Sequence, residues 1–290
     1  MSCNLCPRSC KADRIKNLGF CSKPKFLEVS KVMLHYGEEP WIANNKASGA
    51  IFFAGCNLKC VYCQNYQISN GTGKQISVQT LISLFKQLEE SGASNIDLIT
   101  PTHFANLIID ALNIYKPSIP VIYNCGGYET PEQIQHLSNF IDIFLFDLKY
   151  YSDKLAIKYS SAPNYFSYAT NSILTALKNK PNVWINNQLV KGVIIRHLCL
   201  PSHTNDSKKI LNWISKTDKS ALVSIMSQYS PMYKSNMYPE INRTLKPLEY
   251  KIIINYAKKL DLKNVLVQEL DSNTTELVPN FSTQDKQFKY

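Results

Sequence analysis

Short apolar runs alternate along the chain with longer segments whose apolar residues recur at helical spacing. Seven runs predict buried parallel strands, because they are brief, rich in β-branched residues and lack a polar face. They cover residues 50–54, 96–100, 121–124, 143–148, 193–198, 222–226 and 265–268. Amphipathic segments predict helices over residues 78–90, 104–115, 131–140, 165–177, 207–215 and 248–260. This alternation predicts an α/β protein.

Polar side chains follow several of the predicted strands at the point where each strand ends. Examples are Cys56, Asn124, Asp147 with Lys149, Arg196, Gln228 and Gln268. The carboxyl ends of parallel strands meet at one edge of the sheet, so these side chains predict a lined cavity there. No glycine fingerprint of a dinucleotide-binding sheet follows a strand, which favours a full or partial (β/α) barrel of the TIM type over a doubly wound sheet.

The first 48 residues do not fit this alternation and contain four cysteines. We therefore expect a Cys-rich N-terminal extension over residues 1–48 and a barrel domain over residues 49–290. Cys3, Cys6, Cys10 and Cys21 provide enough thiols for a closed zinc site or an auxiliary iron–sulfur cluster, and the spacing does not choose between them. Uncoordinated thiols are the third alternative.

Composition excludes several classes of protein. The chain has 290 residues, of which 44% are hydrophobic and 19% charged, so it is not of the disordered type. Its apolar runs fall short of the ~20 residues that cross a bilayer, and it begins without an apolar signal core. We expect a cytoplasmic protein without a membrane partner. The formal charge of +10 permits anionic partners, but the basic residues are dispersed and no nucleic-acid motif accompanies them.

The segment CNLKCVYC, directly after the first predicted strand, carries the strongest chemical signal. It places Cys56, Cys60 and Cys63 on one short loop. Structural zinc sites close with four protein ligands, whereas three thiolates can hold three irons of a 4Fe-4S cluster and leave the fourth iron open. An open iron can bind a substrate or cofactor.

This signature, with an aromatic residue at Tyr62, resembles that of the radical S-adenosylmethionine (SAM) enzymes. Within that superfamily the chain resembles the group named for pyruvate formate-lyase activating enzymes. The resemblance rests on CQNYQIS at residues 63–69, TPTHF at 100–104, FDLKY at 146–150, KYSSAPNY at 158–165, IIRHLCLP at 194–201 and MSQYSP at 226–231, together with the cysteine motif at residues 3–10. The chain has TPTH where authentic activating enzymes place a glycine-rich acidic motif.

The resemblance implies a 4Fe-4S cluster on the three loop cysteines and SAM bound to its open iron. Reductive cleavage of SAM then gives a 5′-deoxyadenosyl radical that abstracts hydrogen from a substrate, here expected to be a glycyl-radical protein or a peptide. It also implies a one-electron donor such as flavodoxin or ferredoxin. The residues that the resemblance places near SAM are Tyr62, Asp147, Lys149 and Arg196. Thr102 and Asn124 offer small polar groups for the amine or the ribose of SAM.

Two alternatives stay open. In the first, the chain is a radical SAM enzyme whose substrate is RNA or a small metabolite instead of a polypeptide. In the second, it is a non-catalytic iron–sulfur protein that has a regulatory role or binds nucleic acid. His103 and His197 follow strands and invite catalytic roles, but we interpret both as structural.

Overall fold

The computed structural model describes residues 3–71, 73–270, 279–283 and 285–290. Within these residues the chain forms ten strands and nine α-helices. The strands are β1 (Leu27–His35), β2 (Ser48–Phe53), β3 (Lys74–Ile76), β4 (Ile96–Ile99), β5 (Val121–Cys125), β6 (Ile143–Asp147), β7 (Val183–Ile185), β8 (Gln188–Leu198), β9 (Leu222–Met226) and β10 (Asn264–Val267). The helices are α1 (Pro40–Ala43), α2 (Tyr66–Ser69), α3 (Val78–Glu90), α4 (Ala105–Ile114), α5 (Pro131–Leu137), α6 (Asp153–Ser160), α7 (Tyr165–Asn179), α8 (Thr204–Thr217) and α9 (Pro247–Lys259).

One sheet runs in the order β10-β9-β8-β6-β5-β4-β2-β1-β3, and β7 forms a hairpin with β8. The seven strands from β10 to β2 are parallel, whereas β1 and β3 are antiparallel to their neighbours. No pairing joins β10 to β3 in the described part of the chain. The fold is therefore an open, partial barrel of the TIM type, which confirms the predicted α/β class. Among the described residues, no helix combines the length and apolarity that crossing a membrane requires.

All seven predicted strands and all six predicted helices are present. The strand at residues 222–226 and the helix at 78–90 have the predicted bounds. The apolar pattern did not predict β1, β3, β7, α1, α2 or α6, which are short, lie at the sheet edge or lie in the N-terminal segment. Short elements of this kind depend on contacts with the rest of the chain more than on their own periodicity.

The sheet continues across the predicted boundary after residue 48. Strand β1 pairs with β2 from Val29 to His35, so residues on both sides of the boundary share one hydrogen-bonded ladder. Helix α1 follows β1 and buries Ile42 completely. The division into an extension and a barrel domain stays a prediction. Within the extension, β1 belongs to the sheet and α1 packs against it.

The two faces of the parallel strands pack against different partners. In β6, Phe144 and Phe146 belong to the large core that includes residues of the helices, while Ile143 and Leu145 pack with Ile42 of α1 on the opposite face. Successive side chains in a strand alternate between faces, so Asp147 continues the row of Ile143 and Leu145. The face that carries Ile143, Leu145 and Asp147, called here the inward face, is thus apolar where it packs against α1 and polar at the carboxyl edge of the sheet.

Residues just before β1 pack closely against the backbone that follows β2. Gly55 has a φ of +85°, and a Cβ placed there would lie 2.4 Å from Lys23 Cγ and 2.6 Å from the Cys21 carbonyl oxygen. Only glycine fits this left-handed position without moving the N-terminal segment. The N-terminal segment and the loop after β2 are therefore packed as one unit.

The Gly55→Ala variant tests this packing. We expect it to lower the free energy of unfolding by about 3 kcal/mol, because crowding of roughly 1–3 kcal/mol adds to a left-handed penalty of roughly 1–2 kcal/mol. Gly92→Ala is the matched control: Gly92 has a φ of +78°, but nothing lies within 4 Å of its virtual Cβ. Urea unfolding of the cluster-free proteins would measure both, and equal losses would contradict the close packing.

Candidate active site

The candidate site is a cavity of about 280 Å³ at the carboxyl edge of the parallel strands, which is near the lower end of the usual size for small-molecule sites. Its wall includes Gly55 and Cys56 after β2, Asn124 of β5, Asp147 and Lys149 at the end of β6, Arg196 of β8, and Gln228 and Gln268 after β9 and β10. The sequence-based expectation of a polar cavity at this edge is therefore realised in the structure.

All three loop cysteines line this cavity. Cys56, Cys60 and Cys63 are half-buried free thiols. Burial raises the pKa of the Cys56 thiol to about 12 and that of Cys63 to about 11, so without metal these groups are protonated at neutral pH. Thiols bind metal as thiolates, so metal binding at this loop must release protons.

The donor set fits an iron–sulfur cluster better than a single ion. In the described part of the chain, no three His, Cys, Asp or Glu side chains converge on a point that one metal ion would occupy. In a cluster, by contrast, each thiolate binds a different iron, so thiols arranged around a cavity are suitable ligands. The three soft donors on one loop match that requirement.

Two other segments fix the backbone of the cysteine loop. The amides of Lys59 and Val61 donate to the carbonyl oxygens of Ser160 and Tyr159, at 3.2 and 2.8 Å. Arg8 Nε donates to the carbonyl oxygen of Asn57 at 2.7 Å. These contacts come from the end of α6 and from the N-terminal cysteine motif, both far away in sequence.

Arg8 connects the loop with the segment that follows α6. Its Nη1 donates to the carbonyl oxygen of Ser161 and its Nη2 to that of Ser160. The guanidinium also lies over the Phe20 ring, 3.9 Å from the centroid. From the sequence we expect Arg8 only to shape its own loop, because its contacts with the cysteine loop and with the segment after α6 depend on carbonyl groups that only the fold brings together.

Asp147, Lys149 and Arg196 form a charged cluster on the cavity wall. Asp147 and Arg196 are register partners on β6 and β8, and Arg196 Nε donates to Asp147 Oδ1 at 2.8 Å. Lys149 Nζ donates to Asp147 Oδ2 at 2.7 Å. Burial alone would raise the pKa of Asp147, but Arg196 and Lys149 hold it below its usual value. Asp147 is therefore ionised and neutralises part of the cationic charge.

Arg196 is also held by groups outside this cluster. Its Nη2 donates to Asn124 Oδ1 at 2.6 Å, and its Nη1 lies 3.4 Å from Glu38 Oε1. The neighbouring Glu39 is buried, and burial raises its pKa to about 7. Glu38 and Glu39 were missed in the sequence analysis because they precede the first predicted strand, although the paired carboxylates before Pro40 were a visible signal.

Thr102 is the predicted site residue that the structure does not bring to the cavity wall. It lies in a 3₁₀ turn before α4, and its hydroxyl donates to Glu129 Oε1 at 2.5 Å in the protein interior. The neighbouring Thr100, which has a φ of +59°, lines the cavity instead. Thr102 is 1% exposed, and nothing in the TPTH pattern indicated that Thr100, rather than Thr102, lines the cavity.

Tyr62 and Asn124 line the cavity. The Tyr62 ring packs edge-on against Tyr229, with centroids 5.5 Å apart, and its hydroxyl lies 2.5 Å from that of Tyr150. Asn124 Nδ2 donates to Asp97 Oδ2 at 3.1 Å while its oxygen accepts from Arg196. Both side chains are thus oriented by the protein itself.

His103 and His197 have structural partners. His103 Nε2 donates to the carbonyl oxygen of Ala54 at 2.7 Å, and burial lowers its pKa to about 3, so the ring is neutral. His197 Nδ1 donates to the carbonyl oxygen of Leu148, and Ser207 lies at its Nε2. Each ring supports a backbone segment that leads into the cavity, in agreement with the structural interpretation.

The four N-terminal cysteines belong to one compact loop. Backbone hydrogen bonds join Cys3 to Lys11 and Ala12. Burial raises the pKa of Cys6 to about 12 and raises that of Cys21. Burial would also raise the pKa of Cys10, but hydrogen bonds from the Phe20 and Ala12 amides and from Cys3 hold it below its usual value. Electrostatic interactions link Cys6 to Cys3 and Cys21, and Cys21 to Cys3 and Cys10, so the four thiols lie near one another.

Comparison with known proteins identifies the family. The family model described as the radical SAM superfamily matches residues 50–214. A protein of Methanocaldococcus jannaschii, MJ0674, is 32% identical over 274 residues, which cover 90% of this chain and 75% of that protein.

Two solved structures share the fold. The FeFe-hydrogenase maturase HydG of Carboxydothermus hydrogenoformans has a TM-score of 0.52 at 14% identity, over 77% of this chain and 54% of its own. Streptococcus suis SuiB bound to precursor peptide SuiA has a TM-score of 0.50 at 14% identity, over 80% of this chain and 51% of its own. This chain thus spans about half the length of these structures. Because the family model covers more than half of the chain and includes the cysteine loop and its cavity, the chain belongs to the radical SAM superfamily.

Proposed function

We propose that the chain binds a 4Fe-4S cluster at Cys56, Cys60 and Cys63 and SAM in the adjoining cavity, and that it abstracts hydrogen from a substrate. Membership of the superfamily implies both cofactors. The observation that carries the proposal is that three thiols of one loop border the same cavity as Asp147, Lys149 and Arg196. When bound and supplied with one electron, the cluster cleaves SAM to methionine and a 5′-deoxyadenosyl radical, which becomes 5′-deoxyadenosine by taking a hydrogen atom.

The charged wall supports binding of the methionyl part of SAM, which is a zwitterion. Lys149 and Arg196 offer donors for its carboxylate, and Asp147 and Asn124 offer acceptors for its ammonium group. In the structure these residues hydrogen-bond to one another at 2.6 to 2.8 Å. Binding therefore exchanges protein–protein ion pairs for protein–ligand pairs and leaves no buried charge unpaired.

Two observations support a role of Tyr62 in binding SAM. Its ring lines the cavity, and its hydroxyl is hydrogen-bonded to that of Tyr150. The ring is thus available for an apolar contact with the cofactor. Thr102 drops out of the proposed set of SAM residues, because its hydroxyl is committed to Glu129 in the interior. Glu38 joins the set as a residue that orients Arg196.

A polypeptide substrate is the finer part of the proposal. The fold resemblance to SuiB, whose solved structure is bound to the precursor peptide SuiA, supports a peptide as the substrate. A glycyl-radical protein is one member of that class, and the resemblance to activating enzymes is its only support. A cytoplasmic location and an electron donor such as flavodoxin or ferredoxin complete the proposal.

The Cys60→Ala variant tests the cluster and its chemistry together. After anaerobic reconstitution, the wild-type protein should show a reducible 4Fe-4S signal by electron paramagnetic resonance and release 5′-deoxyadenosine from SAM. Cys60→Ala should lose both to background, because one iron loses its ligand.

Cys199→Ala provides the control. Cys199 is fully buried in the main core and does not belong to the cysteine loop. It should retain the cluster and release of 5′-deoxyadenosine. A Cys60→Ala protein that keeps the wild-type signal would rule out this ligand set.

We also propose that Cys3, Cys6, Cys10 and Cys21 bind metal, as zinc or as an auxiliary iron–sulfur cluster. Support comes from the electrostatic interactions that link the thiols of Cys6 and Cys21 to that of Cys3. Among the described residues no three of these thiols converge on one point, so a zinc site would require them to turn toward a common centre, whereas a cluster spreads its ligands over several irons. Metal analysis of purified protein should show either zinc or iron beyond that of one cluster. A Cys6→Ser/Cys10→Ser double variant should lose this second metal and keep the first. If the double variant binds as much of each metal as the wild type, the four cysteines are not ligands.

A further inference from the structure

A row of buried hydroxyl groups ends on the sulfur of Cys60. Ser160 Oγ lies 2.9 Å from Cys60 Sγ and 2.7 Å from the hydroxyl of Tyr150, which lies 2.5 Å from the hydroxyl of Tyr62. Ser160 and Tyr150 are fully buried, and Tyr62 is 5% exposed. These residues come from the cysteine loop, from the end of β6 and from the end of α6, so the row exists only in the folded chain.

The thiolate state of Cys60 sets the direction of every hydrogen bond in the row. A thiolate has no proton, so Ser160 must donate to it. The Ser160 oxygen then accepts from Tyr150, whose oxygen in turn accepts from Tyr62. Three O–H dipoles therefore point toward one sulfur, and hydrogen bonds in such a series strengthen one another.

The backbone prevents this donor from moving away. The carbonyl oxygen of Ser160 accepts from the Lys59 amide and from Arg8 Nη2, both at 3.2 Å. The residue that donates to the Cys60 sulfur is thus tied through its own carbonyl group to the residue before Cys60. Their separation is fixed by the fold and does not depend on a flexible side chain.

We propose that Ser160, supported by Tyr150 and Tyr62, is a positioning residue that stabilises the reduced state of the cluster by donating a hydrogen bond to Cys60. The inference rests on the proposed cluster ligands. Hydrogen bonds to cluster sulfurs are among the factors that set reduction potentials. Reduction adds negative charge to the sulfurs, and a charge-assisted hydrogen bond is stronger than a neutral one, so the donor stabilises the reduced cluster more than the oxidised one.

The test is the reduction potential of the reconstituted cluster, followed by electron paramagnetic resonance in the absence of SAM. Ser160→Ala should lower the ratio of reduced to oxidised cluster about tenfold at a given potential, which is a shift of about 59 mV to more negative values for one electron. Tyr150→Phe should shift it in the same direction by about two- to threefold, because Ser160 then loses its orienting donor. Tyr62→Phe, one step further from the sulfur, should have the smallest effect.

Two controls separate this role from a general loss of stability. Ser138→Ala removes a buried hydroxyl that donates to a helix carbonyl at 2.8 Å, and Tyr250→Phe removes a hydroxyl that donates to the carbonyl oxygens of Ile225 and Gln268. Both lie outside the row. They should lower the thermal midpoint of the cluster-free protein as the test variants do, but leave the potential unchanged.

The outcomes distinguish this inference from the proposed function. A wild-type protein that assembles no cluster would refute the ligand assignment itself. A wild type with a cluster, together with a Ser160→Ala potential equal to that of Ser138→Ala, would refute only the role of Ser160. If Ser160→Ala does not fold, Tyr150→Phe decides the matter, and an unchanged potential in that variant overturns the proposal.

Discussion

The site depends on how the loop that carries Cys56, Cys60 and Cys63 is held at the carboxyl edge of the sheet. A loop of irregular backbone has amide groups that need partners. Here the partners come from the N-terminal motif through Arg8 and from the end of α6 through Tyr159 and Ser160. Gly55 permits the N-terminal segment to approach because it carries no side chain. The three thiols can border one cavity because these distant segments fix the backbone between them.

Arg8 also connects the two cysteine-rich regions of the chain, the N-terminal motif and the loop after β2. Arg8 lies between Cys6 and Cys10 in sequence, and its guanidinium contacts both the cysteine loop and the segment after α6. Burial lowers the pKa of Arg8, although the nearby Tyr128 and cysteine thiols oppose the shift. Arg8 thus connects the N-terminal cysteine motif to the backbone beside Cys60 through hydrogen bonds. The incorporation of β1 into the sheet keeps this N-terminal segment in place.

The sequence predicted the parts of the fold that have a strong local pattern. The apolar run of β9 and the amphipathic α3 had the predicted bounds, because burial of a continuous face determines them. The loop cysteines were found because ligand spacing is itself local. Arg8, Glu38 and Ser160 could not be found in this way. Each acts through a partner more than 90 residues away, and the pairing depends on strand order and on the path of α6.

The inward face of the strands explains why a charged cavity is tolerated inside this protein. Toward α1 the face is apolar, and Ile42 packs there with Ile143 and Leu145. Toward the carboxyl edge the rows continue as Asp147 and Arg196, whose charges neutralise each other across neighbouring strands. A buried pair of this kind costs desolvation energy that its attraction only partly offsets. The paired side chains are largely buried and held in place by their hydrogen bonds, so in the proposed function a zwitterionic ligand would replace one charged partner by another. The same ion pair therefore has both a structural role, in joining β6 to β8, and the charge distribution that the proposed binding of a zwitterion requires.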